Sequence, residues 1–279
     1  MSFLNPFYLF VVIFFFILKY PFIFFKIFKI NKKLKNNTPT LDCSNEYNRI
    51  GVASFKASPK NIKIISQWNN RVNFFYKICK FLPFSKLFFD KKYYIYTNTN
   101  YLRWKILFPE LKKIISDEMD DTLNSILGEN YEITSVLWQR NFHIPAKIKD
   151  EAFSNFWHFD FRRNKKKWAR VMIYLNDQGN AESLHWFKKA DSLMAIKNKD
   201  YGRYSPENLP KYLNNLHKTS PGPLGTMNLV NTADILHRAG MPLPGKFRDV
   251  VFVILQSKNT EWEDNFNFIN KPAHVMSNS

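Results

Sequence analysis

The texture of the chain changes at Gly128, and that change limits the fold more than any other feature. Beyond it, residues 132–142, 168–175, 183–187, 226–230 and 249–255 are each short and rich in β-branched or aromatic residues. Turn formers such as Asn176-Asp177-Gln178-Gly179 bound them, the pattern of separate strands. Several short strands behind a helical region predict a mainly β fold with flanking helices, a sandwich or barrel of jelly-roll type. Ahead of Gly128, the spacing of Leu111, Ile114, Ile115, Met119, Leu123, Ile126 and Leu127 predicts a helix over 109–127. Residues 45–108 mix basic and aromatic side chains without a clean period. The expected organisation is therefore a basic, mostly helical segment at 45–128 and a β core at 129–260. A polar insertion at 188–222, with Pro206, Pro210 and Pro221, interrupts the core, and a tail follows at 261–279.

The formal charge of +18 is unevenly spread. Residues 1–115 hold 20 lysines and arginines against four acids, and residues 116–279 hold 21 against 19. An enzyme of nucleic acid surrounds its reactive centre with positive charge. Here the charge sits elsewhere, so no nucleic-acid partner is expected. Residues 3–25 are overwhelmingly apolar and long enough for the roughly 20 residues of a spanning helix. Lys26, Lys29, Lys32, Lys33 and Lys35 follow, with no small-residue cleavage site. Residues 1–30 are thus expected to form a transmembrane or interfacial membrane-anchoring helix, and 31–44 a basic tether. The positive-inside rule then places a single-pass protein with its main domain in the cytoplasm, against an anionic inner surface. Two cysteines, Cys43 and Cys79, make no disulfide framework.

The chemistry-bearing stretch is Phe156-Trp157-His158-Phe159-Asp160-Phe161. On a strand, side chains two apart point the same way, so His158 and Asp160 can ligate one metal ion. The strongest third ligand is His237, with His185 and His217 as alternatives. Two histidines and one carboxylate on one face, with three positions open, form the facial triad of non-haem iron oxygenases. Arg248 lies eleven residues past His237, across Met241-Pro242-Leu243-Pro244-Gly245. Folding those flanks as a hairpin brings the two together. By parity Arg248 heads an inward row with Val250, Phe252 and Ile254, where a buried guanidinium needs a carboxylate. No Gly-rich phosphate loop, serine-nucleophile motif or zinc pattern appears.

His-Phe-Asp before a strand, then His-Arg-x-Gly, then an arginine eleven past the histidine, resembles the Fe(II)/2-oxoglutarate-dependent oxygenase superfamily. Within it the pattern is nearest the phytanoyl-CoA dioxygenase-like branch, over residues 130–258. The resemblance implies a double-stranded β-helix (a cupin-like jelly roll). It also implies Fe(II) on His158, Asp160 and His237, 2-oxoglutarate on Arg248, and dioxygen as second co-substrate. The implied reaction hydroxylates an unactivated C–H bond of a small molecule or lipid. Many relatives carry a small-Ser-His element where this chain reads Trp186-Phe187-Lys188-Lys189-Ala190-Asp191. A non-catalytic, membrane-attached binding protein with the same fold is the alternative.

Overall fold

The structure is a computed structural model. It describes residues 43–81, 90–92, 95–98, 107–129, 131–145, 155–160, 168–198, 203–205 and 208–257. The expected anchor at 1–30, most of the tether, the lysine- and arginine-rich stretch 162–167 that follows Phe161, and the tail at 261–279 lie outside the described residues. Among the described residues, no helix is long and apolar enough to cross a membrane.

Helix α1 (Cys43–Ile50) leads into strand β1 (Val52–Lys56), and α2 (Pro59–Phe81) follows. Pro59 takes the first helical position, where its missing N–H would have had no partner. Strands β2 (Asp90–Lys92) and β3 (Ile95–Asn98) precede α3 (Leu111–Leu127). Glu118 of α3 accepts hydrogen bonds from the Ser58 backbone N–H (2.9 Å), the Ser58 hydroxyl and the Asn61 amide (both 2.6 Å). One carboxylate thus satisfies donors at the start of α2 and ties two helices together. Gly128 ends α3 at φ 92°, its N–H bonded to the Asn124 carbonyl, as the sequence predicts.

The long strands are β4 (Tyr131–Phe142), β5 (Trp168–Tyr174), β8 (Thr226–Val230) and β10 (Phe247–Ser257). Between them lie three-residue strands β6 (Leu184–Trp186), β7 (Lys218–Ser220) and β9 (His237–Ala239), and helix α4 (Lys189–Lys197). Seven strands make one antiparallel sheet in the order β1-β8-β5-β10-β4-β3-β2, and β7-β6-β9 make a second. Both faces of the large sheet are covered. Val171, Ile173, Leu229, Val251, Val253 and Leu255 pack on one side with Ile65, Trp68, Ile114, Ile115 and Leu123 of the helices. Met172, Tyr174, Val230 and Val250 pack on the other with Leu184 and Trp186 of the small sheet. Period-two alternation therefore separates a helix-facing layer from an interior between the sheets.

Two sequence expectations change here. The segment 45–128, read as mostly helical, also supplies β1, β2 and β3 of the large sheet. These strands are only three to five residues long, too short to show a period. The hairpin expected between His237 and Arg248 does not form. β9 pairs with β6, whereas β10 pairs with β4 and β5, so residues 240–246 cross from one sheet to the other. Pro242 and Pro244 lack the N–H groups a continued ladder would need.

Candidate metal centre

Residues 155–160 are held by single bridges and not by a continuous ladder. Trp157 exchanges backbone hydrogen bonds with Tyr204 (2.8 and 3.0 Å), and His158 exchanges them with His237 (both 3.0 Å). The Asp160 N–H then donates to the Thr232 carbonyl at 2.9 Å. Directly opposed residues of an antiparallel pair share a face, and residues two apart share it as well. Backbone pairing alone therefore gathers His158, His237 and Asp160 on one side. One potential ligand atom from each lies within 4.8 Å of the other two, a spacing at which one divalent ion can touch all three.

The imidazoles are set for that role. The ring Nδ1 of His158 lies 2.7 Å from the Phe156 carbonyl, and that of His237 lies 3.1 Å from the Ile235 carbonyl. A carbonyl only accepts, so both Nδ1 atoms carry the proton and both Nε2 lone pairs are left for a ligand role. Those Nε2 atoms stand 3.8 and 3.9 Å from Asp160 oxygens, too far for hydrogen bonds. Burial pushes the His237 pKa down to about 3, with the neighbouring His158 adding to the effect. Burial likewise lowers His158, against the pull of Asp160. Burial works to raise Asp160, but Arg170, His237 and His158 outweigh it and hold the carboxyl well below the usual range. The donor set is two neutral imidazoles and one carboxylate, and it fits Fe(II) with an open side.

Arg170 of β5 approaches Asp160 Oδ2 to 2.8 Å, an ion pair without hydrogen-bond alignment. The 188–222 insertion brings Arg203 into the electrostatic reach of Asp160 and His158. Neither arginine was singled out from the sequence. For Arg170 a signal existed, since it shares strand parity with Met172 and Tyr174 of the interior. The alternative ligands fall elsewhere. In the β6–β9 register His237 faces Trp186, whereas His185 faces Arg238, one residue over and so on the opposite face. There His185 stacks on His217 at 5.6 Å and bonds the Asn180 carbonyl and Arg238.

Arg248 lies on the interior face with Val250 and Phe252, as its parity predicts. It is 1% exposed and its Nε has no partner; among the described residues it makes no ion pair. Its surroundings are the Phe252 ring, 5.7 Å away, and the Tyr174 phenol, whose hydroxyl donates to the Ser220 carbonyl at 2.8 Å. A buried guanidinium without a counter-charge is costly unless an anion joins it.

A helix-backed large sheet facing a small sheet is a fold the chain shares with several solved structures. The chain is similar to AviO1 from Streptomyces viridochromogenes, with a TM-score of 0.54 and 15% identity over 81% of this chain and 99% of that one. It is similar to SnoK, a non-haem α-ketoglutarate-dependent carbocyclase of nogalamycin biosynthesis (TM-score 0.54, 10% identity, 87% and 95%). HygX from Streptomyces hygroscopicus, with nickel and 2-oxoglutarate bound, aligns at a TM-score of 0.51 and 11% identity over 81% and 91%. No family model and no curated protein matches the chain.

Proposed function

We propose that the chain is an Fe(II)/2-oxoglutarate-dependent dioxygenase on a double-stranded β-helix, hydroxylating an organic substrate. The observation that carries this reading is the pairing of a His-Asp-His face with an unpaired, buried arginine in one interior. Iron bound there would supply the redox chemistry that activates dioxygen at the expense of 2-oxoglutarate. The chain's own part is positional. His158, Asp160 and His237 would hold the metal, and the Nδ1 protons of the two histidines donate to carbonyls so that the rings cannot turn away. Arg170 holds the carboxylate oxygen, Arg248 grips the distal carboxylate of 2-oxoglutarate through its planar fork, and the apolar interior excludes water. Nickel and 2-oxoglutarate in HygX, and the α-ketoglutarate dependence of SnoK, support the co-substrate. The His-Arg-x-Gly motif and the Arg248 spacing support a position near the phytanoyl-CoA dioxygenase-like branch. The test is 2-oxoglutarate decarboxylation by anaerobically purified protein with and without Fe(II). His158→Ala or Asp160→Ala should abolish iron binding and turnover; retention of both refutes the triad.

The same reading extends to the membrane. Residues 3–25 anchor the chain as a single span with the catalytic domain cytoplasmic, and the substrate is a lipid or lipid-linked molecule at the anionic surface. The apolar run and the five lysines behind it support this. A lipid gaining one oxygen in the presence of the full chain is the expected product. Equal turnover of that lipid by a chain lacking residues 1–30 refutes the role of the anchor.

A further inference from the structure

The interior face of the large sheet holds a second buried polar group beside Arg248. Asn141 of β4 is its direct partner in the β4–β10 register. Directly opposed side chains share a face, with Cβ atoms about 4.5–5.5 Å apart. The neighbouring residue confirms the parity, because Arg140 points the other way, toward Asp249, Asn73 and the Tyr76 ring of α2. Asn141 is 1% exposed, and neither its amide nitrogen nor its carbonyl oxygen has a hydrogen-bond partner. Leaving such an amide unsatisfied is costly, and leaving the adjacent guanidinium unpaired costs more. Two unsatisfied groups side by side, both fully enclosed, are most simply explained by a ligand that completes them together.

We propose that Asn141 is the second half of the carboxylate subsite. Arg248 takes the distal carboxylate of 2-oxoglutarate in its fork, and the Asn141 amide N–H donates to the same group while its carbonyl accepts from the guanidinium. The inference rests on the co-substrate reading of Arg248 given above. It adds a selectivity element, because a 2-oxo diacid engages both residues and a 2-oxo monoacid engages neither. An amide is also the right choice there. A carboxylate at 141 would neutralise Arg248 within the chain and leave no charge for the ligand.

The test uses the full chain in detergent, anaerobic and loaded with Fe(II), titrated calorimetrically with 2-oxoglutarate and with pyruvate. The melting temperature of the ligand-free protein is followed alongside. Asn141→Leu, close in volume, should weaken 2-oxoglutarate roughly 10-fold to 100-fold and leave pyruvate unchanged, the loss of a hydrogen bond to a charged group. Asn141→Asp should lose 2-oxoglutarate altogether and yet melt higher than the parent, since it pairs the buried arginine. A purely structural asparagine predicts the opposite sign for that melting shift. If the parent binds no 2-oxoglutarate, the co-substrate reading fails and takes this inference with it. If the parent binds and either variant binds as tightly, or if Asn141→Leu weakens both acids equally, the subsite assignment alone is wrong. Should Asn141→Leu fail to fold, the two readouts on Asn141→Asp decide the matter.

Discussion

Gly240 follows β9 directly, three residues past His237, and its replacement by alanine tests how the metal centre is braced. A Cβ at this position would stand 2.2 Å from the Ser183 carbonyl oxygen, 2.3 Å from that of Ala181 and 2.6 Å from the Glu182 carbonyl carbon. All three are backbone atoms, so no side chain can swing aside. Relief needs a separation of about 1 Å between the end of β9 and residues 181–183 in an interior packed at crystal density. That movement strains the Leu184–Ala239 pairing, and with it the Trp186–His237 pair of the same short ladder. Overpacking costs about 1–3 kcal/mol and a lost ladder hydrogen bond about 1 kcal/mol more. Gly240→Ala should therefore lose about 2–4 kcal/mol, a fall in melting temperature on the order of 5–15 °C for a chain of this size. Metal affinity should fall as well, because His237 moves with β9. Gly245→Ala is the control: φ is 78° but nothing lies within 4 Å of the new Cβ. It should cost only the about 1–2 kcal/mol of a left-handed backbone, with metal affinity intact. Thermal unfolding by circular dichroism and metal titration measure both. A Gly240→Ala protein as stable as Gly245→Ala, with unchanged metal affinity, refutes the bracing argument.

Other consequences can be checked on the same preparation. Arg170→Met removes the partner of the ligand carboxylate and should weaken Fe(II) binding about 10-fold to 100-fold with little change in fold, read by metal titration. Asp249→Asn strips the counter-charge from Arg140, which is enclosed between the Tyr76 and Phe247 rings, and should cost about 3–5 kcal/mol in chemical denaturation. Burial, then Arg238, push the His185 pKa from 6.5 down to about 4. The unfolded chain takes up this proton first, so stability should fall as pH drops from about 6.5 to about 4, by up to about 3 kcal/mol. His185→Gln should make that part of the stability–pH curve shallower, the rest of the slope coming from His237 and His158; an unchanged slope shows that His185 does not contribute.

The long strands and the ligand pair were legible because each is a local signal. β4, β5, β8 and β10 are five to twelve residues of alternating or fully buried apolar character. The His-x-Asp spacing needs only period two to place both side chains together. What was hidden depends on registers between distant segments. β6, β7 and β9 have three residues each, and the pairing of β9 with β6, not β10, is decided by where the prolines interrupt the chain. Arg170 becomes a partner of Asp160, and Asn141 of Arg248, only through cross-strand neighbours that no spacing along the chain discloses. His185 shows the same limit from the other side: as a histidine on a strand it resembled a ligand, and a one-residue offset turned it away.

The single-bridge attachment of residues 155–160 makes the metal centre a reporter of completed folding. Two ligands arrive with His158 and Asp160, but the third waits for His237, which arrives only with the last strand of the small sheet. Bringing such distant segments together pays a loop-closure cost before their contacts reward it. An ion bound by all three side chains fastens this lightly held strip to β9 and to everything β9 pairs with. Metal stoichiometry therefore counts finished molecules, and a variant that keeps full metal occupancy has assembled its small sheet.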